Sequence, residues 1–354
     1  MRIVFDIVHP AHVHFFKNMI WALEEKGHTT RILAREKEVT CRLLDELKLP
    51  YETVGRPSER GRLGQLAELV RRDLTLVHLI RDFDADVVVT RNPAGVQAAR
   101  LLNVPGIFDT DDGKAAGIHF QAARPFAHFL TSPDCLPEYW GNRHFRYQGY
   151  KQSAYLHPDH FTPDESVLEE LGVDPAEKFF IVRLVAMNAS HDNGESGMTL
   201  DAKREVIQRL QKHGRVFLSS EKDPPEEWKH LQFNLAPHRL HDALAFAHLI
   251  VGDSQTMAAE AAMLGTPSVR ASTFAGRISY LQEMEHRYGL TFGFHPREMT
   301  SLLCKLDELL DMGDELTPLM TERRQKMLSE KINVADWFVD FIEQRRGASE
   351  PFDS

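Results

Sequence analysis

Residues 248–270 read HLIVGDSQTMAAEAAMLGTPSVR, and the reading of this stretch decides the fold. Leu249 to Val251 form a short apolar run that ends at Gly252, the length and texture of a buried strand. A helical pattern follows until Gly265 stops it ahead of Pro267, and another apolar strand begins. Strand, helix, strand is the unit of a parallel sheet covered by helices. Asp253 or Ser254 is placed to cap the helix by accepting a backbone N–H. Gln255 and Thr256 then stand in its first turn, where free N–H groups and the positive end of the macrodipole favour an anion such as a diphosphate. Glu260 lies four residues after Thr256 on the same face, and helical side chains lean toward the N-terminus, so it reaches a group held above that end. A capped helix with a solvated Glu260 fits the same pattern.

The rhythm extends outward in both directions. Toward the N-terminus it runs through RIVFDIV (2–8), a helix from Val13 to Glu25 closing at Gly27, TTRILA (29–34) and a helix near Lys37 to Leu47. ADVVVTRN (85–92), GVQAARLL (95–102) and VPGIFDTDD (104–112) continue it. After Tyr147 the texture turns to Pro, Tyr and charge until FFIVRLVA (179–186), which reads as a domain linker. The second half repeats the alternation, and Leu319 to Gln344 reads as a closing helical tail. The expected architecture is α/β: a first Rossmann-like domain over 1–150, a second over 165–320, facing each other across a cleft, and a helical tail over 321–346.

The 354 residues are 42% hydrophobic and 27% charged, enough to build two ordinary cores. A formal net charge of −10 argues against general nucleic-acid binding, which calls for a basic excess. Cys41, Cys135 and Cys304 show no paired spacing, so neither a disulfide framework nor a zinc site is expected. No apolar run reaches the roughly 20 residues that cross a bilayer, so a cytoplasmic protein with at most peripheral membrane contact is expected.

In open parallel sheets ligands sit beyond the carboxyl ends of the strands. The first such junction is HPAHVHFF (9–16), where Pro10 suits the first helical turn and His9 and His12 stand at the expected cleft. A histidine titrating near neutrality is a natural general base for a hydroxyl; helix capping or packing against Phe15 and Phe16 is the plainer reading. A further junction places Asp109, Asp111 and Asp112 together, able to orient a histidine, act as base, hold Mg²⁺ or cap a turn. RLVAMNASHDNGESG (183–197) puts His191 after the first strand of the second half, and Arg183, Arg270 and Arg277 are candidate cations for a diphosphate.

GDSQTMAAEAAMLGTPSVR is similar to the nucleotide-binding motif of the GT-B superfamily, especially the non-hydrolysing UDP-N-acetylglucosamine 2-epimerases. Together with DIVHPAHVHFFKNMI and NASHDNG it resembles the family called domain of unknown function 354. The resemblance implies that Ser254, Gln255 and Thr256 hold a nucleotide diphosphate and that Glu260 takes the ribose hydroxyls. Gln255-Thr256 replaces the Gly-Gly pair of that motif. Histidines after the first strand serve as base in several GT-B glycosyltransferases, a role falling here on His12 or His9. The epimerases' His-Arg-Arg-Glu-Asn stretch is matched only at His191. In PHRLHD (237–242), His238 and Arg239 lie where GT-B loops approach the nucleotide base. The implied function is a metal-independent glycosyltransferase taking a UDP-linked sugar to a glycan or lipid-linked acceptor, with no cofactor. A UDP-sugar 2-epimerase using His191 with Asp109 or Asp111, and a nucleotide-sugar-binding protein without turnover, are the alternatives.

Overall fold

In the computed structural model, which describes residues 1–55, 62–184, 197–220, 223–233 and 235–345, the alternation of strand and helix closes two separate sheets. The chain divides into two compact units, residues 1–160 with those from 331 onward, and residues 161–330.

The first unit holds β1 (Arg2–Ile7), β2 (Thr29–Ala34), β3 (Tyr51–Thr53), β4 (Val87–Thr90), β5 (Gly106–Asp109), β6 (Phe129–Pro133) and β7 (His144–Tyr147). Their order is β3-β2-β1-β4-β5-β6-β7, and every pairing is parallel. The second unit holds β8 (Phe179–Leu184), β9 (Arg215–Ser220), β10 (Leu249–Gly252), β11 (Ser268–Ala271) and β12 (Thr291–Phe294), again parallel, in the order β12-β11-β10-β8-β9. Both are doubly wound, as expected for each half of the chain. Direction reverses between β1 and β4 in the first sheet and between β8 and β10 in the second, so each unit carries one topological switch point.

The helix Pro10–Glu25 shows why the first junction folds as it does. Pro10 takes the first helical position and His9 is the cap, while Val13, Phe16, Met19, Ile20 and Leu23 bury its inner stripe. The strands β3 (YET), β6 (FLTSP), β7 (HFRY) and β12 (TFGF) did not stand out in the sequence, because none is a continuous apolar run.

The stretch after Tyr147, expected as a linker, is part of the first unit's core: Tyr150 to Leu156 are buried. The stretch expected as a tail is divided. The helix Leu316–Glu330 belongs to the second unit, and Val334–Gln344 packs on the first. Gly149 allows that return, since a Cβ there would lie 2.6 Å from Val334 Cγ2. Phe338 then meets Phe15, Tyr147 and Trp337, with ring centroids 5.4, 5.7 and 5.1 Å apart. The Arg345 guanidinium lies over the rings of Phe129, Phe145 and Phe341.

Truncating Phe338 empties the centre of this seam. Phe338→Ala is expected to destabilise the first unit by about 3–5 kcal/mol in urea titrations followed by Trp337 fluorescence; a loss below about 1 kcal/mol would show that the C-terminal helix is not integral to it.

Candidate active site

At the first switch point the ends of β1 and β4 are clipped together. Asp6, on β1, accepts hydrogen bonds from Thr90 Oγ1 at 3.0 Å and Asn92 Nδ2 at 2.9 Å. Asn92 N–H donates in turn to Thr90 Oγ1 at 2.9 Å. With both neighbours tied, Arg91 points into the first unit. It reaches Asp111 through Nη2, lies 3.5 Å from Asp109 Oδ2 through Nη1, and covers the Phe15 ring at 5.1 Å. Lys151 Nζ closes on the other Asp111 oxygen at 2.7 Å, and Thr131 Oγ1 donates to Asp109 Oδ1 at 2.9 Å. Asp109 and Asp111, expected from the acidic turn, are thus brought together, held by two cations that the sequence did not single out.

The cluster separates the two carboxyl groups. Burial raises the Asp109 pKa to about 6, an effect that Arg91 only partly offsets. Burial also acts on Asp111, but Arg91 and Lys151 outweigh it and hold this carboxyl below the usual carboxylate range. Arg91 keeps its charge, because Asp111 and Asp109 outweigh the cost of its burial.

The two candidate bases differ. His9 is exposed, and its Nδ1 accepts the Ala11 N–H at 3.2 Å, so in the neutral ring its lone pair serves the helix cap. His12 is half-buried and has no hydrogen-bond partner at Nδ1 among the described residues. Burial, then Arg91, His9 and Lys151, push its pKa well below 6.5, with Asp111 opposing. It is therefore neutral at pH 7, the form a general base requires.

In the second unit Ser254 is the cap: its Oγ accepts the Met257 N–H at 3.3 Å, and the helix Gln255–Leu264 ends at Gly265 with φ 87°. Asp253 serves elsewhere, accepting the Met198 N–H at 3.0 Å and pairing with Lys203 Nζ at 3.3 Å. Gln255 and Thr256 are half-buried in the first turn, and Gln255 Oε1 has no partner among the described residues. Glu260 is not solvated. It is 5% exposed and its Oε1 lies 3.3 Å from His241 Nε2.

The expected cations are differently placed. Arg183 Nη1 donates to Ser219 Oγ at 2.8 Å. Arg270, expected in the cleft, is 1% exposed; its Nη2 pairs with Glu285 at 3.1 Å, and it fills the space that a Cβ on Gly293 would occupy. Arg239 is engaged by Asp164, Glu170, Asp242 and Ser166, which leaves it committed to the fold of its own unit rather than to a base. Arg277 lies over the Phe274 ring. His191 falls outside the described residues.

Arg91 was legible in principle. TRNP repeats the pattern of HPAH, a strand end followed by a titratable group and a helix-opening proline, at the next strand. Lys151 carried no such signal, since it lies in the stretch read as linker.

The Asp109 shift has a direct consequence. A carboxyl whose folded pKa is raised contributes stability that is present below the ordinary value of 3.8 and is lost as pH rises through about 6. The wild type is expected to lose up to about 3 kcal/mol relative to Asp109→Asn between pH 4 and pH 7 in denaturant titrations. A difference that does not change with pH would mean that Asp109 titrates normally.

Solved structures share this fold over nearly their whole length. S. aureus MnaA in a co-structure with UDP superposes with a TM-score of 0.70 at 14% identity, covering 100% of this chain and 99% of that one. The UDP-GlcNAc 2-epimerase of Neisseria meningitidis, bound to UDP-GlcNAc, gives 0.68 at 11% identity, with 97% and 100% covered. The glycosyltransferase SsfS6 of Streptomyces sp. SF2575 gives 0.62 at 15% identity, with 97% and 100% covered. At these identities the likeness shows the GT-B fold alone. No curated protein matches. Residues 1–281 match the protein family of unknown function DUF354, and the chain belongs to that family.

Proposed function

We propose that this protein is a glycosyltransferase that uses a UDP-linked sugar without a metal ion. The observation that carries the reading is His12, held neutral by burial and by Arg91, its Nδ1 buried and without a hydrogen-bond partner among the described residues, at the switch point of the first unit. Neutral His12 takes the proton of an acceptor hydroxyl as that oxygen bonds to the anomeric carbon. The bond from the anomeric carbon to the diphosphate breaks, and the departing charge falls on the first turn of the helix Gln255–Leu264. Ser254, Gln255 and Thr256 line that turn, and Glu260, fixed by His241, takes the ribose. Arg183 is the cation proposed for the diphosphate; Arg270, enclosed by Glu285, serves instead to hold the end of β11. Metal independence is supported by Asp111, whose charge is already met by Arg91 and Lys151. The UDP and UDP-GlcNAc bound in two of the superposed structures support the nucleotide.

A 2-epimerase-like reaction is the second reading, favoured by Asp109, which near pH 6 can exchange a proton. His191 would be its partner.

Incubation with a panel of UDP-sugars, with and without acceptors, separates the two. UDP released only with acceptor is the expected result; an isomerised sugar without acceptor supports the second reading, and neither result contradicts both. His12→Ala is expected to lose roughly 10²–10⁴-fold in kcat with UDP affinity retained. Thr256→Val is expected to weaken UDP binding roughly 5- to 30-fold by calorimetry. Full turnover by His12→Ala removes the base assignment, and unchanged affinity in Thr256→Val together with Gln255→Ala removes the diphosphate assignment.

A further inference from the structure

The loop leaving β5 carries Asp109 and Asp111 into the buried charge cluster, then surfaces as the turn Gly113–Ala116 and the short helix Ile118–Ala123. Its inner face is fully accounted for. Phe120, Ala123 and Ala127 pack with Val96, Phe108 and Leu130, and the Phe120 ring centroid lies 4.5 Å from that of Trp140. Two large apolar residues of the same segment remain outside that packing. Ile118 is 83% exposed and Phe126 is 39% exposed. Nothing in the packing of the unit asks for isoleucine at 118, and two large apolar side chains left exposed in one short segment suit a contact with something else.

The polar part of the segment points to what that is. An open hollow here is lined by Lys114, Gly117, Phe120, Gln121, Arg124 and Pro125. It carries two cations and no carboxylate, in a chain of formal net charge −10. Lys114 and Arg124 are both exposed, and neither forms an ion pair among the described residues. A segment that exposes large apolar side chains together with two cations suits a surface that is apolar beneath and anionic on top, which is the interface of an anionic bilayer. Among the described residues no helix is long and apolar enough to cross a membrane, so the contact would be with its surface.

We propose that the segment Lys114–Phe126 docks the protein on an anionic lipid bilayer. Ile118 and Phe126 enter the headgroup layer, and Lys114 and Arg124 rest against lipid phosphates. Because this loop continues from Asp109 and Asp111, the bilayer is held by the same unit that carries the proposed base. That geometry suits a lipid-linked acceptor, a consequence that rests on the transferase reading; the docking itself does not.

The test is co-sedimentation of the full chain with phosphatidylcholine vesicles, with and without phosphatidylglycerol. The wild type is expected to bind the anionic vesicles, to ignore the neutral ones, and to be released by salt. Lys114→Gln and Arg124→Gln should each lower the partition coefficient roughly fivefold, and Ile118→Ser with Phe126→Ser should lower it roughly tenfold or more. All four positions are exposed, so thermal unfolding should not change. No binding by the wild type, equal binding to neutral vesicles, or undiminished binding by the variants would overturn the proposal. So would light scattering showing that Ile118→Ser with Phe126→Ser turns a dimer into a monomer, which would assign the patch to a second copy. UDP-sugar turnover with a water-soluble acceptor is read separately, so loss of one result leaves the other standing.

Discussion

One buried guanidinium organises the first unit. A charge of that kind costs several kcal/mol to take out of water unless it is paired and hydrogen-bonded. Arg91 meets Asp111 and Asp109 on the carboxylate side and the Phe15 ring on the other. Asp111 in turn draws in Lys151 from the chain beyond β7. The ends of β4 and β5, the first helix and the segment 150–156 therefore converge on one charge. The seam with the C-terminal helix backs the same point, since Tyr147, whose ring meets Trp337 and Phe338, lies beside Asp109 and is itself buried. What the cluster presents to His12 is cationic, and a histidine among cations stays unprotonated.

The second unit solves a different problem with the same topology. Its switch point offers a helix start rather than a charge cluster, capped by Ser254 and kept close to the sheet by Ala258, Ala259, Ala261 and Ala262, all buried. Several of its polar and charged side chains are engaged within the unit. Asp253 anchors Met198 and Lys203, His241 braces Glu260, and Glu285 braces Arg270. Each unit thus brings its candidate residues to the carboxyl ends of strands at or beside its switch point.

Much of the fold was readable because apolar strands and capped helices obey local rules: Pro10 and Gly265 mark helix ends, and the apolar runs at 2–8 and 249–252 mark core strands. Strands of mixed polarity such as β3 and β7 form because neighbours pair with them, which no local pattern records. The site was half legible for the same reason. His12, Asp109, Asp111 and Ser254 stand at junctions that the rhythm of the chain exposes. Lys151 reaches the site only through the packing of Tyr150 to Leu156, and the commitment of Arg239 and Arg270 depends on carboxylates distant in sequence. Spacing shows where a cation stands along the chain but not whether a partner has already claimed it.

The claim at the centre of this account is that His12 is neutral under working conditions because its surroundings are buried and cationic. Nuclear magnetic resonance titration of the histidine rings in the full chain, with the His12 signal assigned by its absence in His12→Ala, measures this directly. The expected result is a His12 pKa below 6.5, and a value at or above 6.5 would contradict it.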